Sequence, residues 1–361
     1  MAAAHPAFAS PLLGPEFAQS VGLERDDARV TMFERDGQRL GYLAYHKRPG
    51  GLARPIGAPL ADYHGLVSTA DAGLRGPWLL GAAGLAAYRF TGLVDPFGVF
   101  ASDVAARHES HVVTVTDGDA DAYLETVRAA SAKKFKNWRR LDSKLGRDVG
   151  ELTMVGPDTS RAAFDQLLAW KREQLRRTGV HDFLSPAWVS GLFERFFEMQ
   201  DGDFRGLMVN LYAGDRLVAG QFGVRQGDIF HPWLASADPD LGAYSPGQVF
   251  LWRAIAMMPA LGLTQFDLGP GHDHYKRPYA LTQVTLGEGL AAAASSAGRA
   301  ARGREQAWAA AGAHGAGLAG KLRRRLDIIA TVELSLAGRA MGFAQAITDQ
   351  TRRRSIPTES A

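Results

Sequence analysis

The sequence predicts a mixed α/β protein built of two modules and a helical C-terminal extension. Three observations predict it. Short apolar runs broken by Gly and Pro continue to Gly118, strand-like and helix-like periods alternate from Glu151 to Leu268, and an Ala-, Gly- and Arg-rich stretch follows residue 291. A chain of 361 residues has room for two domains of ordinary size, with boundaries placed at 1–146, 147–290 and 291–361. At 46% apolar and 22% charged residues, it has enough apolar surface to fold, which excludes global disorder.

In the first module RVTMFERDGQRLGYLAYHKR reads as a hairpin turning at Asp36-Gly37, and Val112 to Thr116 as a later strand. From Asp119 to Leu145 there is no Gly or Pro, and Phe135, Trp138, Leu141 and Leu145 recur at helical spacing. Between Lys133 and Arg147 this helix carries seven Lys or Arg against one Asp, a charge that suits an anionic acceptor or membrane surface. No nucleic-acid-binding module accompanies it, so nucleic acid is not expected as a partner. The second module reads as strand ELTMV, helices over 160–177 and 186–199, and three strands turning at Gly214-Asp215 and Gly227-Asp228. A helix over 248–260 and a short strand over 265–268 complete it.

The absence of cysteine excludes disulfides, thiolate nucleophiles and Cys-ligated zinc or iron–sulfur clusters. No basic region precedes the mild apolar N-terminus, and the longest uncharged apolar window, Pro77 to Tyr88, is far shorter than the roughly 20 residues of a spanning helix. A cytoplasmic protein, peripheral at the inner membrane if membrane-associated, is expected. Net charge is +3, yet residues 291–361 hold eleven Lys or Arg against five Asp or Glu, leaving the rest at −3. The extension is read as helical and as part of neither core.

Several segments share a spacing: Pro59-Leu60-Ala61-Asp62-Tyr63-His64-Gly65, the basic helix from Lys133, the run Tyr244-Ser245-Pro246-Gly247-Gln248, then Gln265-Phe266-Asp267-Leu268-Gly269-Pro270-Gly271 and Tyr275-Lys276. Across roughly residues 50–290 the chain resembles the CelD/BcsL-like branch of the GNAT superfamily, relatives of the FemAB peptidyltransferases, and within it holdfast-polysaccharide N-acetyltransferases. The resemblance implies two tandem GNAT-like modules, acetyl-CoA or another acyl-CoA as donor, and an amino-sugar or nucleotide- or lipid-linked saccharide as acceptor in exopolysaccharide synthesis. It also implies a donor turn at a helix N-terminus, where backbone N–H groups meet the pyrophosphate, assigned here to Tyr244, Ser245, Gly247 and Gln248. The superfamily's loop carries several glycines and this one carries Gly247 alone, so longer acyl-CoAs and an aminoacyl carrier stand as further donors.

Acyl transfer to an amine needs an unprotonated amine, a stabilised oxyanion and a proton for the leaving thiolate. Asp267 precedes Gly269-Pro270-Gly271, a turn expected to leave its carboxylate facing a cleft as base or amine anchor, with capping of the turn as the alternative. Tyr275 is expected as acid, with Tyr244 as a second candidate, and Lys276 as the contact for a phosphate or the oxyanion. Asp62, Tyr63, His64 and His272 are assigned to the acceptor side. His272, His274 and His231 do not make a metal site, because alternate residues of an extended segment point to opposite faces, and no metal is expected. A histidine base is the alternative to Asp267. A FemAB-like aminoacyltransferase is the first rival function. A non-catalytic effector binding an anionic ligand such as a cyclic dinucleotide at Arg323-Arg324-Arg325-Leu326-Asp327 is the second, and polysaccharide-synthesis proteins are possible partners.

Overall fold

The computed structural model describes residues 5–70, 72–271, 276–313, 315, 317–335 and 337–342. Helix α1 (Pro15–Glu24) leads into a hairpin of β1 (Ala28–Arg35) and β2 (Gln38–Arg48). At its turn Asp36 and Gly37 both take positive φ, 51° and 76°, the conformation that a two-residue hairpin selects. There follow β3 (Leu52–Pro55), β4 (Leu66–Ser68), α2 (Gly76–Ala82), β5 (Ala87–Leu93) and β6 (Val104–Thr114). Next come α3 (Ala120–Ala130), α4 (Ala132–Asp148), β7 (Leu152–Val155), α5 (Arg161–Thr178) and α6 (Ala187–Glu198). The strands β8 (Phe204–Ala213), β9 (Arg216–Gln226) and β10 (Ile229–Ala237) form the expected meander, followed by α7 (Pro246–Met257) and β11 (Gln265–Pro270). β12 (Thr282–Ala292), α8 (Ser296–Ala310) and α9 (Leu318–Val332) complete the described elements.

Among the described residues the strands form one sheet in the order β1-β2-β3-β5-β12-β6-β11-β10-β9-β8-β7, with β4 on β2. One topology occurs twice in it. The antiparallel meander β1-β2-β3 leads through α2 to β5, parallel to β3, and the meander β8-β9-β10 leads through α7 to β11, parallel to β10. The repeats interlock where β6 pairs with β11 and β12 lies between β5 and β6. This is the mixed α/β, tandem architecture with a helical C-terminal region that the sequence predicts.

Each face of the sheet has its own core. Phe164, Leu167, Trp188, Phe193 and Phe196 of α5 and α6 cover Phe222 and Leu234 on one side. On the other, Phe250 and Ile255 of α7 and Trp138 of α4 pack over Phe230 and Phe266. The basic helix behaves as its sequence requires: Phe135, Trp138, Leu141 and Leu145 are buried, with Trp138 stacked on Tyr279 at 4.1 Å, while its lysines and arginines face outward.

Three readings are corrected. The single helix expected over 119–145 is two, broken at Ser131, whose backbone is non-helical (φ −143°, ψ 45°) and caps α3. β12 was missed because its TLGEGLAA sequence has glycine where strand periodicity would be read. The extension is not separate from the cores: Ala301 of α8 packs with Ala87 and Ala292, and Ile329 and Val332 of α9 are buried.

Candidate active site

The second repeat opens a cleft where two parallel strands part. β10 and β11 pair at Ile229–Gln265 and Phe230–Phe266 and then separate. A register shift between Pro232 and Leu234 bends β10 further, while its other edge stays on β9 as far as Ala237. The β10 edge facing the gap therefore offers backbone groups that β11 does not occupy. A cleft of about 890 Å³ fills the opening, with Asp62, Lys171, Gln221, Trp233, Ser245 and Lys276 among the residues in its wall.

His231 and Asp267 are the first residues past the point of separation, and strand alternation turns both away from the Phe230–Phe266 stack. His231 is fully buried. Its Nε2 meets Asp62 Oδ2 at 3.1 Å, and its Nδ1 lies 3.4 Å from Asp267 Oδ2, at ion-pair distance but without hydrogen-bond alignment. Burial alone would push the imidazole down, but the charges of Asp267 and Asp62 beside it and the hydrogen bond to Asp62 outweigh it and lift it to about 9. At neutral pH the His231 ring is therefore an imidazolium, set between Asp62 and Asp267. Its exposed end is Asp62, whose side chain is 33% exposed against 8% for Asp267.

Asp267 is turned inward, correcting the expectation that it faces the cleft. Its Oδ1 accepts from Gly269 N at 2.8 Å, so it closes the turn and braces His231 at once. Gly269 adopts φ +72°, and a Cβ there would stand 2.9 Å from Asp62 Oδ2, so the turn requires glycine twice over. Tyr63 sits edge-on to His231 at 5.5 Å with its hydroxyl enclosed, and burial beside Asp267 raises its ionisation well above the ordinary range. Tyr63 is thus a wall of the charged pair and does not reach the cleft.

His64 does not belong to the acceptor side either. Its Nδ1 donates to Ala61 O at 3.1 Å, and its Nε2 accepts from Thr91 N at 3.0 Å and Gly92 N at 2.9 Å. Burial holds it down at about 4, so it is a neutral clasp fastening the Asp62 loop to β5. Lys276 stands in the cleft wall, donating to Gly269 O at 3.2 Å and Pro270 O at 2.9 Å. Across the gap, Lys171 of α5 reaches Ala235 O on β10 at 3.5 Å, and burial together with the charge of Lys276 lowers its pKa. Sequence reasoning missed Lys171 because it looks like any lysine of an amphipathic helix.

At the donor turn, Ser245 takes φ 48° just before Pro246, and Ser245, Gly247 and Gln248 line the cleft at the N-terminus of α7. The Gln248 carbonyl groups accept from the Tyr279 hydroxyl at 3.0 Å. Tyr244 faces elsewhere, its hydroxyl 3.4 Å from Asp148 and its ring under Lys144, so it does not line the cleft. Tyr275, His272 and His274 lie outside the described residues. Among the described residues no group of three His, Asp or Glu converges to hold a metal ion, since Asp62 and Asp267 meet opposite nitrogens of one ring. No helix among the described residues is long and apolar enough to cross a membrane.

Residues 132–277 match the family model described as an acetyltransferase (GNAT) domain. The superfamily generally uses acyl-CoA. Solved structures with a similar chain path include the C-terminal DUF2156 domain of an Agrobacterium fabrum protein named as a lysylphosphatidylglycerol synthetase, at 14% identity and TM-score 0.49, covering 79% of this chain and 90% of that one. FemX is similar at 11% identity and TM-score 0.48, covering 76% and 90%, and a tandem GNAT protein of clavulanic acid biosynthesis at 10% and 0.38, covering 77% and 88%. No curated protein is significantly similar in sequence.

Proposed function

We propose that the protein is an acyl-CoA-dependent N-acyltransferase acting on an amino sugar, or on a nucleotide- or lipid-linked saccharide carrying one, for a bacterial surface polysaccharide. The observation that carries this reading is the Asp62 carboxylate at the cleft, held by the buried imidazolium of His231. An amine arrives as an ammonium ion, and the partly exposed Asp62 carboxylate offers it a partner at the cleft. The thioester lies along the open edge of β10, with its phosphates toward the N-terminus of α7. The ammonium first gives a proton to water, and the free amine nitrogen then attacks the thioester carbonyl carbon, so the C–N bond forms and the C–S bond breaks. The nitrogen's proton passes to Asp62 or water, and the thiolate takes a proton from Tyr275 or the Lys276 ammonium. Lys171 and Lys276, one on each arm of the gap, supply cations for a phosphate of the acceptor. The holdfast assignment rests on the resemblance of the motifs from Asp62 to Lys276. With CoA as donor the reaction belongs in the cytoplasm, at the inner-membrane surface for a lipid-linked acceptor.

A FemAB-like aminoacyl donor is the second reading, favoured by a donor turn that carries Gly247 alone and a Gln248 side chain already engaged by Tyr279. Release of CoA thiol, followed with acyl-CoAs of increasing length and a panel of UDP-amino sugars, separates the two. Amine-dependent thiol release that collapses in Asp62→Asn supports the first, whereas transfer from aminoacyl-tRNA with no thiol release from any acyl-CoA would replace it with the second.

A further inference from the structure

The first repeat contains a gap of the same kind, and the chain itself fills it. β3 and β5 pair in parallel at Leu52–Ala87 and Ala53–Tyr88, and the next residues are Arg54 and Arg89. In register these correspond to His231 and Asp267 of the second repeat. Here the two side chains are both cations, and a carboxylate from α9 joins them. Arg54 Nη2 donates to Asp327 Oδ1 at 2.9 Å and Arg89 Nε donates to Asp327 Oδ2 at 2.9 Å. Arg89 Nη1 donates to Glu305 Oε2 at 3.0 Å, and Arg323 donates to the same carboxylate. Arg323 is itself buried, and its Nη1 meets no hydrogen-bond acceptor. Burial pushes the Asp327 carboxyl up, but Arg54 and Arg89 outweigh it and hold it below the usual range, so it is an anion.

Guanidinium groups that grip a carboxylate in this way present the same donors to a phosphate. We propose that Arg54 and Arg89 form a second anion site, in the first repeat, that Asp327 is its internal occupant, and that a phosphate ester or diphosphate displaces it. The consequence for the cleft is direct. Ile328, the next residue, stands in the cleft wall, while the C-terminal end of α9 is tied by Arg25 to Thr331 O at 3.3 Å, Arg48 to Ala330 O at 3.2 Å and Trp188 to Val332 O at 3.0 Å. An anion in the second site would loosen the middle of α9 and remove Ile328 from the wall. The inference rests on the first repeat and stands independently of the acyl-transfer reading.

Hydrogen–deuterium exchange of the full chain tests it, with inorganic pyrophosphate as probe and sodium chloride matched in ionic strength as reference. Amides of 318–332 should exchange about tenfold faster with pyrophosphate, and Asp327→Asn should bind pyrophosphate about tenfold more tightly than wild type because its internal competitor is gone. UDP and geranyl diphosphate then distinguish a nucleotide from a lipid source, and the one that reproduces the effect identifies it. Unchanged exchange in wild type overturns the proposal, and so does an acceleration that persists in Arg54→Met/Arg89→Met. The wild-type exchange does not depend on any variant folding.

Discussion

Two gaps between parallel strands lie in one sheet, and the residues at the mouth of each give them opposite fates. In the first, Arg54 and Arg89 face one another and a carboxylate from the tail joins them. In the second, His231 and Asp267 neutralise one another, a third group, Asp62, remains partly exposed, and the gap stays open as a cleft. The same topology thus gives a braced joint or an open cleft, according to whether the two positions after the last parallel pair carry like or opposite charges.

Substitutions should separate the two. Asp62→Asn removes the accessible carboxylate and should lower amine-dependent acyl transfer by about 10² to 10⁴ while leaving the melting temperature within a few degrees. Arg89→Met does the reverse: it leaves Asp327 and Glu305 short of a buried partner and should cost about 3 to 5 kcal/mol in denaturant unfolding. Equal effects of both on stability would erase the distinction between the gaps.

The pH dependence of stability separates the two buried histidines on either side of Asp62. His231 has a folded value of about 9 against an ordinary 6.5, so its contribution is complete below 6.5 and is lost as pH rises through 9, on the order of 3 kcal/mol. His64, held at about 4, works in the opposite direction: its contribution is present above 6.5 and disappears as pH falls through 4. Unfolding midpoints from pH 4 to 10 should lose the alkaline decline in His231→Gln and keep it in His64→Gln.

His64→Leu should cost about 2 kcal/mol or more by leaving the N–H groups of Thr91 and Gly92 without an acceptor, with activity reduced only as far as the Asp62 loop shifts. The smallest effect is assigned to Lys171→Met. It should raise the KM for a phosphate-bearing acceptor about tenfold, less so at high salt, with little change in kcat.

Much of the fold was legible, because alternation in β8 to β10 and the Asp36-Gly37 turn are local signals. β12 was not, since its glycines remove the pattern. At the site, Asp62, Asp267 and Lys276 were selected from sequence, but His231 was weighed only among three histidines. Its partners lie 169 residues before it in Asp62 and on a neighbouring strand in Asp267, brought to it by a loop of the first repeat and by the β10–β11 pairing. The resemblance of Asp62-Tyr63-His64 to the family's Asp-Tyr segment places Tyr63 and His64 on the acceptor side with Asp62. In the fold that adjacency turns them into the core.

The most direct test of the contrast between the gaps is the binding of CoA and acetyl-CoA, measured by calorimetry on the full chain at two salt concentrations. The open gap of the second repeat predicts a saturable acetyl-CoA site that is lost when Gly247 at the α7 turn is replaced by Glu and is kept in Arg54→Met/Arg89→Met. No binding at either salt concentration, or binding lost in Arg54→Met/Arg89→Met and kept in the Gly247 variant, would contradict it.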